Sequence, residues 1–285
     1  EIVAAVRAFV DRDVVPPASR LEPAAEFPAE MVETMTGMGL FGTTIPEEYG
    51  GLGLGLDTYA LIVMELSRGW VTLSGILNGS FIAATMIRLH GTEEQKRRFL
   101  PRLASSDVRA SFSMTEPHAG SDVQSIRTTA VRDGDEYVLD GRKMWVTNGW
   151  RSGIVMLLAK TDPATEPAHT GMTGFIIEKE PETSPPGLTI PMPGMEKLGY
   201  KGVESTELVF DGFRTPASSV LVGDEGVGRG FKYFMSGIEV GRVNVAARGA
   251  GLAQAALDDA LRYAQEREAF GKKICQHQAV QLMIA

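Results

Sequence analysis

Residues 112–122 have the sequence Phe-Ser-Met-Thr-Glu-Pro-His-Ala-Gly-Ser-Asp, and the character of the chain changes at this stretch. Before it, apolar residues recur at helical spacing, and after it short β-prone runs alternate with turns. Its small and hydroxyl side chains would let a backbone approach a phosphate or a planar ring closely. Taken alone, the stretch is equally well explained as a polar loop with a capping Ser or Asp.

The N-terminal side, residues 1–109, is predicted to be a helical domain. Apolar residues recur at helical spacing from Ile2 to Val10, and Pro16-Pro17 is expected to end that helix. Three further helices are predicted from residues that favour helix starts: Pro28, Asp57, and the capping-box pair Thr92 and Gln95. The glycine run at 50–55 lacks the spacing of a phosphate loop and is predicted to be a plain loop.

The C-terminal side begins with a predicted β domain over residues 110–225. Asp133-Gly134 and Asp140-Gly141 separate β-prone runs as expected of hairpin turns, which favours a compact antiparallel barrel or sandwich. Residues 226–285 return to helical periodicity, and their several glycines indicate close helix packing or a break near Gly241. The sequence therefore predicts an α+β multidomain fold with an N-terminal helical domain, a central β domain and the start of a C-terminal helical bundle.

Composition excludes several classes of partner. The chain has 285 residues with 28 basic and 36 acidic side chains, and its net charge of -8 argues against a nucleic-acid partner. No apolar run is expected to span a bilayer, so no membrane partner is predicted. The single Cys275 fits a reducing compartment, the cytoplasm or the mitochondrial matrix, and the histidines show no metal-ligand spacing with it. Glu1 and Ala285 are both interpreted as edges of a longer protein, since Ala285 lies within a helical pattern.

Four short motifs together resemble those of the FAD-dependent acyl-CoA dehydrogenases. They stand in the family's order and cover essentially the whole chain: Thr115-Glu116-Pro117-x-Ala119-Gly120-Ser121-Asp122, Trp145-Val146-Thr147-Asn148, Arg267-Glu268-Ala269-Phe270-Gly271 and His277-Gln278. The resemblance implies the same order of helical, β and helical domains. Several motifs in register make chance a poor explanation for the match.

The resemblance implies an FAD site. Thr115 and nearby amides would bond the pyrimidine edge of the flavin, and Thr147 would offer its hydroxyl to flavin N5. Trp145 would pack on the flavin face, and Ser121 would contact the pyrophosphate and lie near the bound thioester. The full set of implied FAD-binding residues is Phe112, Met114, Thr115, Gly120, Ser121, Trp145, Val146, Thr147, Arg267, Phe270, His277 and Gln278.

The resemblance also implies partners. Arg267 and Phe270 would reach the FAD of a neighbouring subunit, which implies a homo-oligomer, a dimer or tetramer with a shared site. Glu239 and Arg242 would lie near the CoA part of an acyl-CoA substrate, where Arg242 could bind a phosphate. An electron-transferring flavoprotein would reoxidise the flavin. The segment Ser74–Phe81, with Gly75, Leu77, Gly79 and Phe81, would line the acyl pocket.

The implied reaction is α,β-dehydrogenation of an acyl-CoA thioester to the trans-2-enoyl-CoA. A carboxylate would remove the α-proton while the β-hydrogen leaves as hydride to the flavin. One of the two positions that carry this base in the family is Gly241 here, so the base is expected to be a Glu beyond Ala285. Two alternatives remain open: a flavin oxidase of the same fold that uses oxygen, and a flavin-binding scaffold without turnover.

Overall fold

The computed structural model describes residues 1–285 and places a sheet between two helical regions. The N-terminal region contains six α-helices: α1 (Ile2–Phe9), α2 (Val15–Leu21), α3 (Ala29–Gly37), α4 (Leu56–Gly69), α5 (Val71–His90) and α6 (Glu93–Ala104). The C-terminal region contains two: α7 (Gly230–Glu266) and α8 (Gln278–Ile284). The predicted fold class, with a helical region on either side of a β domain, is confirmed.

The prediction that Pro16-Pro17 ends the first helix is wrong. A π-helical turn, Val10–Val14, joins α1 directly to α2, and both prolines lie in the first turn of α2. Proline is tolerated there because the N–H groups of a first turn have no intrahelical acceptor. The capping box of α6 is confirmed, since Thr92 and Gln95 each accept a backbone N–H of the other at 3.2 Å. Asp57 does not cap α4, which begins at Leu56 with Gly55 as its N-cap.

Helix α5 was not predicted and is the central helix of the molecule. It contacts α4, α6 and α7, and one of its faces lies on the first β-strand. Its 20 residues are apolar enough by composition to cross a bilayer, but 78% of its apolar window is buried inside the protein. The expectation that no apolar run is long enough to span a bilayer is therefore wrong. The apolar composition of α5 is explained by its burial among neighbouring helices.

The sheet contains seven strands and is mixed rather than purely antiparallel. The strands are β1 (Ala110–Ser113), β2 (Thr129–Asp133), β3 (Glu136–Thr147), β4 (Ile154–Lys160), β5 (Met172–Glu178), β6 (Leu188–Thr189) and β7 (Ser205–Pro216). β4 pairs antiparallel with β5 but parallel with β1 and, at one residue, with β2. The antiparallel expectation failed because the β2–β3 hairpin separates β1 from β4 and supplies the long connection that a parallel pair needs.

Of the two predicted hairpin turns, only one is a turn. Asp133-Gly134 closes the β2–β3 hairpin, whereas Asp140-Gly141 lies inside β3 at a register shift against β7. Gly141 has φ of 144°, and a Cβ there would lie 2.6 Å from the Cα of Thr128. Glycine is therefore required at this bulge by both backbone conformation and close approach.

β4 separates two apolar cores. Because side chains alternate along a strand, Ile154, Met156 and Leu158 face a helical core, while Val155 and Leu157 face a smaller core inside the sheet. α7 packs against α4, α5 and β5 as one continuous helix, without a break at Gly241. The close packing that its glycines predicted is present, since a Cβ at Gly237 would lie 2.8 Å from the sulfur of Met86. Beyond α7, β8 (Glu268–Ala269) and β9 (Lys272–Lys273) form a short hairpin before α8.

Candidate functional site

The stretch that follows β1 is anchored to a central helix and to a neighbouring strand. The N–H of Ala110 donates to the Ser80 hydroxyl of α5 at 3.1 Å, and Gly79 allows this approach, since its Cβ would lie 2.3 Å from the Ala110 oxygen. Further along, the Thr115 carbonyl accepts the N–H of Met144 in β3 at 2.8 Å. These contacts hold the backbone around Thr115 between α5 and β3.

A buried ion pair fixes the next residue of the motif. Glu116 accepts from the Lys143 ammonium at 2.8 Å, from the Thr128 hydroxyl at 2.6 Å and from the Arg127 N–H at 2.7 Å. Lys143 also donates to the Met114 carbonyl at 3.1 Å, and its side chain is 0% exposed. Lys143 was not predicted from the sequence, because its burial depends on a contact with Glu116, which lies 27 residues earlier in the chain.

The electrostatics of this pair follow from burial and mutual attraction. Burial acts to raise the pKa of Glu116. The charge of Lys143 and the hydrogen bonds from Lys143, Thr128 and Arg127 act in the opposite direction and outweigh burial, so the pKa of Glu116 lies below its ordinary 4.5. Burial lowers the pKa of Lys143 to about 8, against the opposing pull of Glu116. The pair is therefore a structural clamp on the motif, and it lies outside the cavity that the motif borders.

A cavity of about 330 Å³ lies between the helices α5 and α7 on one side and the end of β3 on the other. Its volume is in the range of small-molecule and cofactor sites. Its walls bring together residues from five separate segments of the chain: Gly75, Asn78, Gly79, Phe112, Met114, Thr115, Met144, Trp145, Thr147, Tyr200, Ile238 and Arg248. No Asp or Glu is among them.

The backbone of β3 is distorted where it borders the cavity. Trp145 has φ of 59° and sits at a second register shift of β3 against β7. A left-handed conformation costs a bulky residue roughly 1–3 kcal/mol, and such outliers cluster at functional sites. The distortion leaves Trp145 53% exposed, whereas the next side chain, Val146, is fully buried in the sheet core. Val146, one of the predicted FAD-binding residues, therefore does not line the cavity.

Several polar groups that border the cavity are suited to bind a flavin ring. The Thr115 and Thr147 hydroxyls and the Trp145 indole N–H form no hydrogen bond within the chain, so they are free for a ligand with donors and acceptors. The Asn78 side-chain oxygen is buried without a partner, which is costly unless a bound group satisfies it. A planar heterocycle with polar edges would use these groups and cover Trp145.

Several predicted site residues do not line this cavity. Leu77 lies in the helical core, and Phe81 stacks on Tyr59 with ring centroids 3.8 Å apart, so neither lines this cavity, and their place in the acyl pocket stays a prediction. Gly120 and Ser121 are exposed in the loop after Glu116. The remaining residues outside the cavity are Glu239, Arg242, Arg267, Phe270, His277 and Gln278.

Several of the residues that line the cavity were not predicted from the sequence. Tyr200 comes from the loop before β7, and Ile238 and Arg248 come from α7, whereas Asn78 lies within the predicted segment Ser74–Phe81 of α5. Arg248 lies two helical turns after Gly241, on the same face of α7, which was the available signal. No group of three or more His, Cys, Asp and Glu side chains is arranged to hold a metal ion.

Comparison with known proteins agrees with these motifs. Residues 1–107, 111–213 and 228–285 match the N-terminal, middle and C-terminal domains of acyl-CoA dehydrogenases. A (2S)-methylsuccinyl-CoA dehydrogenase of Cereibacter sphaeroides is 41% identical over 98% of this chain, which spans 53% of that protein. An acyl-CoA dehydrogenase of Bacillus subtilis is 37% identical over 98% of this chain, which spans 72% of it.

Solved structures lead to the same family. A glutaryl-CoA dehydrogenase in complex with glutaryl-CoA superimposes with a TM-score of 0.92 at 36% identity, covering 99% of this chain and 70% of that one. A glutaryl-CoA dehydrogenase of Mycobacterium smegmatis in complex with FADH2 gives 0.88 at 31% identity, covering 99% of this chain and 69% of that one. The chain therefore belongs to the acyl-CoA dehydrogenase family, whose members are FAD-dependent oxidoreductases acting on CH–CH bonds.

Proposed function

We propose that this protein removes a hydrogen from each of the α- and β-carbons of an acyl-CoA thioester. The observation that supports this most is the cavity in which Thr115, Trp145 and Thr147 meet beside two packed helices. FAD, when bound, would supply the acceptor for the hydride. The proteins compared with this chain are named for different acyl groups, methylsuccinyl and glutaryl among them, so family membership leaves the acyl group open.

The chain's own residues would hold and orient the cofactor and the thioester. The Thr115 and Thr147 hydroxyls, free of partners in the chain, would donate to polar atoms of the flavin, and Trp145 would pack on its ring. Phe112 and Met114 would exclude water from one wall, which strengthens hydrogen bonds at the reacting atoms. Gly120 and Ser121, exposed in the following loop, would contact the pyrophosphate.

The CoA part would lie along the exposed face of α7. Glu239 and Arg242 are both exposed there and form no ion pair with each other or with any other residue. An unpaired guanidinium is a suitable ligand for a CoA phosphate. The proposal for Arg242 has more physical support than that for Glu239, which would repel a phosphate.

The catalytic base would come from outside residues 1–285. No carboxylate lines the cavity, and Gly241 cannot take a proton. A Cβ at Gly241 would lie 3.0 Å from the Ile82 side chain, so this face of α7 is closely packed against α5. We therefore propose that the base is a Glu that lies C-terminal to Ala285. Full turnover by a whole protein that has no such Glu would contradict this proposal.

A second copy of the chain would complete the FAD site. Arg267 lies 19 residues beyond Arg248, so it is about 28 Å further along the axis of α7 and out of reach of the same cavity. Phe270, at the tip of the β8–β9 hairpin, is 96% exposed, and Gln278 is exposed nearby. His277 is held close to this tip by contact with the Ala269 carbonyl at 3.2 Å. We expect an oligomer in which these residues contact the flavin bound by the partner subunit. A protein that sediments as a monomer and still retains FAD would contradict this expectation.

The electron acceptor is proposed to be an electron-transferring flavoprotein in a reducing compartment such as the cytoplasm. The whole protein loaded with FAD should be bleached anaerobically by a suitable acyl-CoA and should reoxidise slowly in air. Rapid peroxide formation would favour the oxidase alternative. Failure of a panel of straight, branched and carboxylated thioesters to bleach the flavin would favour the scaffold alternative.

A hydroxyl deletion tests the site itself. Thr147→Val keeps the shape of the side chain but removes the donor, and should slow flavin bleaching by roughly 10- to 100-fold, since a hydrogen bond to a group gaining charge contributes about 1.5–3 kcal/mol. Thr129→Val is the matched control, because Thr129 lies in β2 away from the cavity. Equal rates in Thr147→Val and Thr129→Val would remove Thr147 from the proposal.

A further inference from the structure

The one charged side chain in the cavity is Arg248 of α7. Its guanidinium donates to the Tyr200 hydroxyl at 3.3 Å and to the Ser74 carbonyl of α5 at 3.2 Å. Its Nε is buried without any acceptor. A buried donor with no partner is costly, and an arginine cannot relieve the cost by losing its proton.

Four arginines are half-buried, and two of them form ion pairs. Arg68 contacts Asp11 and Glu65, and Arg151 contacts Glu204 and Glu182.

Arg109 also has a buried Nε without an acceptor, but it lies outside the cavity, near the charges of Glu204 and Glu182 and over the ring of Phe27. Arg248 alone faces the cavity, and no carboxylate lies within ion-pair distance of it. The cavity thus carries one positive charge that the chain leaves uncompensated, and an anionic ligand group would compensate it.

The neighbouring residues hold Arg248 in a defined orientation. A Cβ at Gly75 would lie 1.5 Å from the Tyr200 hydroxyl, so only glycine lets that hydroxyl reach α5 and bond Arg248. Burial raises the pKa of Tyr200, so its hydroxyl keeps its proton and can donate it to the same ligand as Arg248. The guanidinium fork and this hydroxyl match the oxygens of a carboxylate.

Resting on the proposed function, we infer that the substrate is a short acyl-CoA whose acyl chain ends in a carboxylate, bound by Arg248 and Tyr200. The CoA phosphates are assigned to the exposed face of α7, whereas Arg248 lies inside the cavity beside Ser74 and Gly75. The acyl tail is the part of the thioester that enters this space. With about 330 Å³ to share with the flavin ring, the cavity admits a short chain.

The test compares glutaryl-CoA with pentanoyl-CoA, which has the same chain length and lacks the carboxylate. With the whole FAD-loaded protein, kcat/KM for flavin reduction should favour glutaryl-CoA by roughly 100-fold, as expected for a charge pair inside a protein. Arg248→Met should abolish this preference, so that the ratio of kcat/KM for glutaryl-CoA to that for pentanoyl-CoA falls by roughly 100-fold. Arg248→Lys should fall between, because lysine lacks the planar fork.

Binding measurements keep this inference separate from the proposed function. Arg229→Met, an exposed arginine just before α7, is the control and should behave as the unaltered protein. If both thioesters bleach the flavin equally and Arg248→Met changes neither, the inference is overturned while the proposed function stands. If no thioester bleaches the flavin but glutaryl-CoA binds in an Arg248-dependent way, the proposed function fails and the carboxylate site stands. Absence of both bleaching and binding overturns both.

Discussion

Replacement of Glu116 by Gln is expected to destabilise the folded protein by about 3–5 kcal/mol, the usual cost of leaving one member of a buried ion pair without its partner. Glu116 is the single carboxylate that contacts Lys143, whose side chain is 0% exposed. The glutamine cannot neutralise Lys143, and its amide cannot replace both carboxylate oxygens as acceptors. Urea unfolding of the FAD-loaded protein measures the loss, and the flavin content should fall with it, since Glu116 follows Thr115.

The double variant Glu116→Gln/Lys143→Met is the matched control. It removes both charges, so it should recover a large part of the lost free energy of unfolding. If the double variant is as unstable as Glu116→Gln alone, the ion pair is not the source of the effect.

The pH dependence provides an independent check on the same pair. The pKa of Glu116 is lower in the folded protein than its ordinary 4.5, so its contribution is complete above that pH and is lost as the pH falls through the folded value. The pKa of Lys143 is lowered from 10.5 to about 8, so the unfolded chain binds more protons between these values and stability rises with pH there. The stability difference between the protein and Glu116→Gln should therefore narrow in acid, and a difference independent of pH would contradict the assignment.

Two glycines two residues apart in α7 are expected to respond to alanine in opposite directions. A Cβ at Gly251 would lie 2.3 Å from the carbonyl oxygen of Met64 and 3.0 Å from the Cβ of Ser67, both in α4. Helix backbones cannot yield as side chains do, so Gly251→Ala should cost about 1–3 kcal/mol through overpacking. At Gly249 nothing lies within 4 Å of the added Cβ, so Gly249→Ala should stabilise the helix by about 0.5–1 kcal/mol.

The midpoints of urea unfolding of the two variants, compared with that of the unaltered protein, test this prediction. Gly251 lies three residues after Arg248 in α7, where α7 packs against α4, and a shift of α7 there would also move Ile238 and Arg248. Gly251→Ala should therefore weaken acyl-CoA binding as well, whereas Gly249→Ala should not. A shift of both midpoints in the same direction would show that helix propensity, and not packing against α4, governs Gly251.

Local patterns predicted the order of domains and some of the details. The capping box at Thr92 and the hairpin turn at Asp133-Gly134 were predicted correctly because each is determined by neighbouring residues. Asp140-Gly141 has the same composition as that turn, yet it became a bulge because the backbone of Thr128 lies against it. Pro16-Pro17 similarly failed to end a helix, because a π-turn placed both residues at the start of the next one.

The residues of the candidate site were also predicted only in part. Thr115, Trp145 and Thr147 were predicted from their motifs, and all three line the cavity. Tyr200 and Arg248 were missed, although they bond each other, because 48 residues separate them in the chain.

The sequence by itself determined the family, the succession of helical, β and helical regions, and the polar residues that border the candidate flavin site. Periodicity, caps and motifs are properties of near neighbours, so they can be recognised without coordinates. Only the tertiary structure decided that β1 runs parallel to β4, that Lys143 is buried on Glu116, and that Arg248 enters the cavity without a carboxylate. These features depend on contacts between distant segments, where packing and burial set the energy, and no local pattern records them.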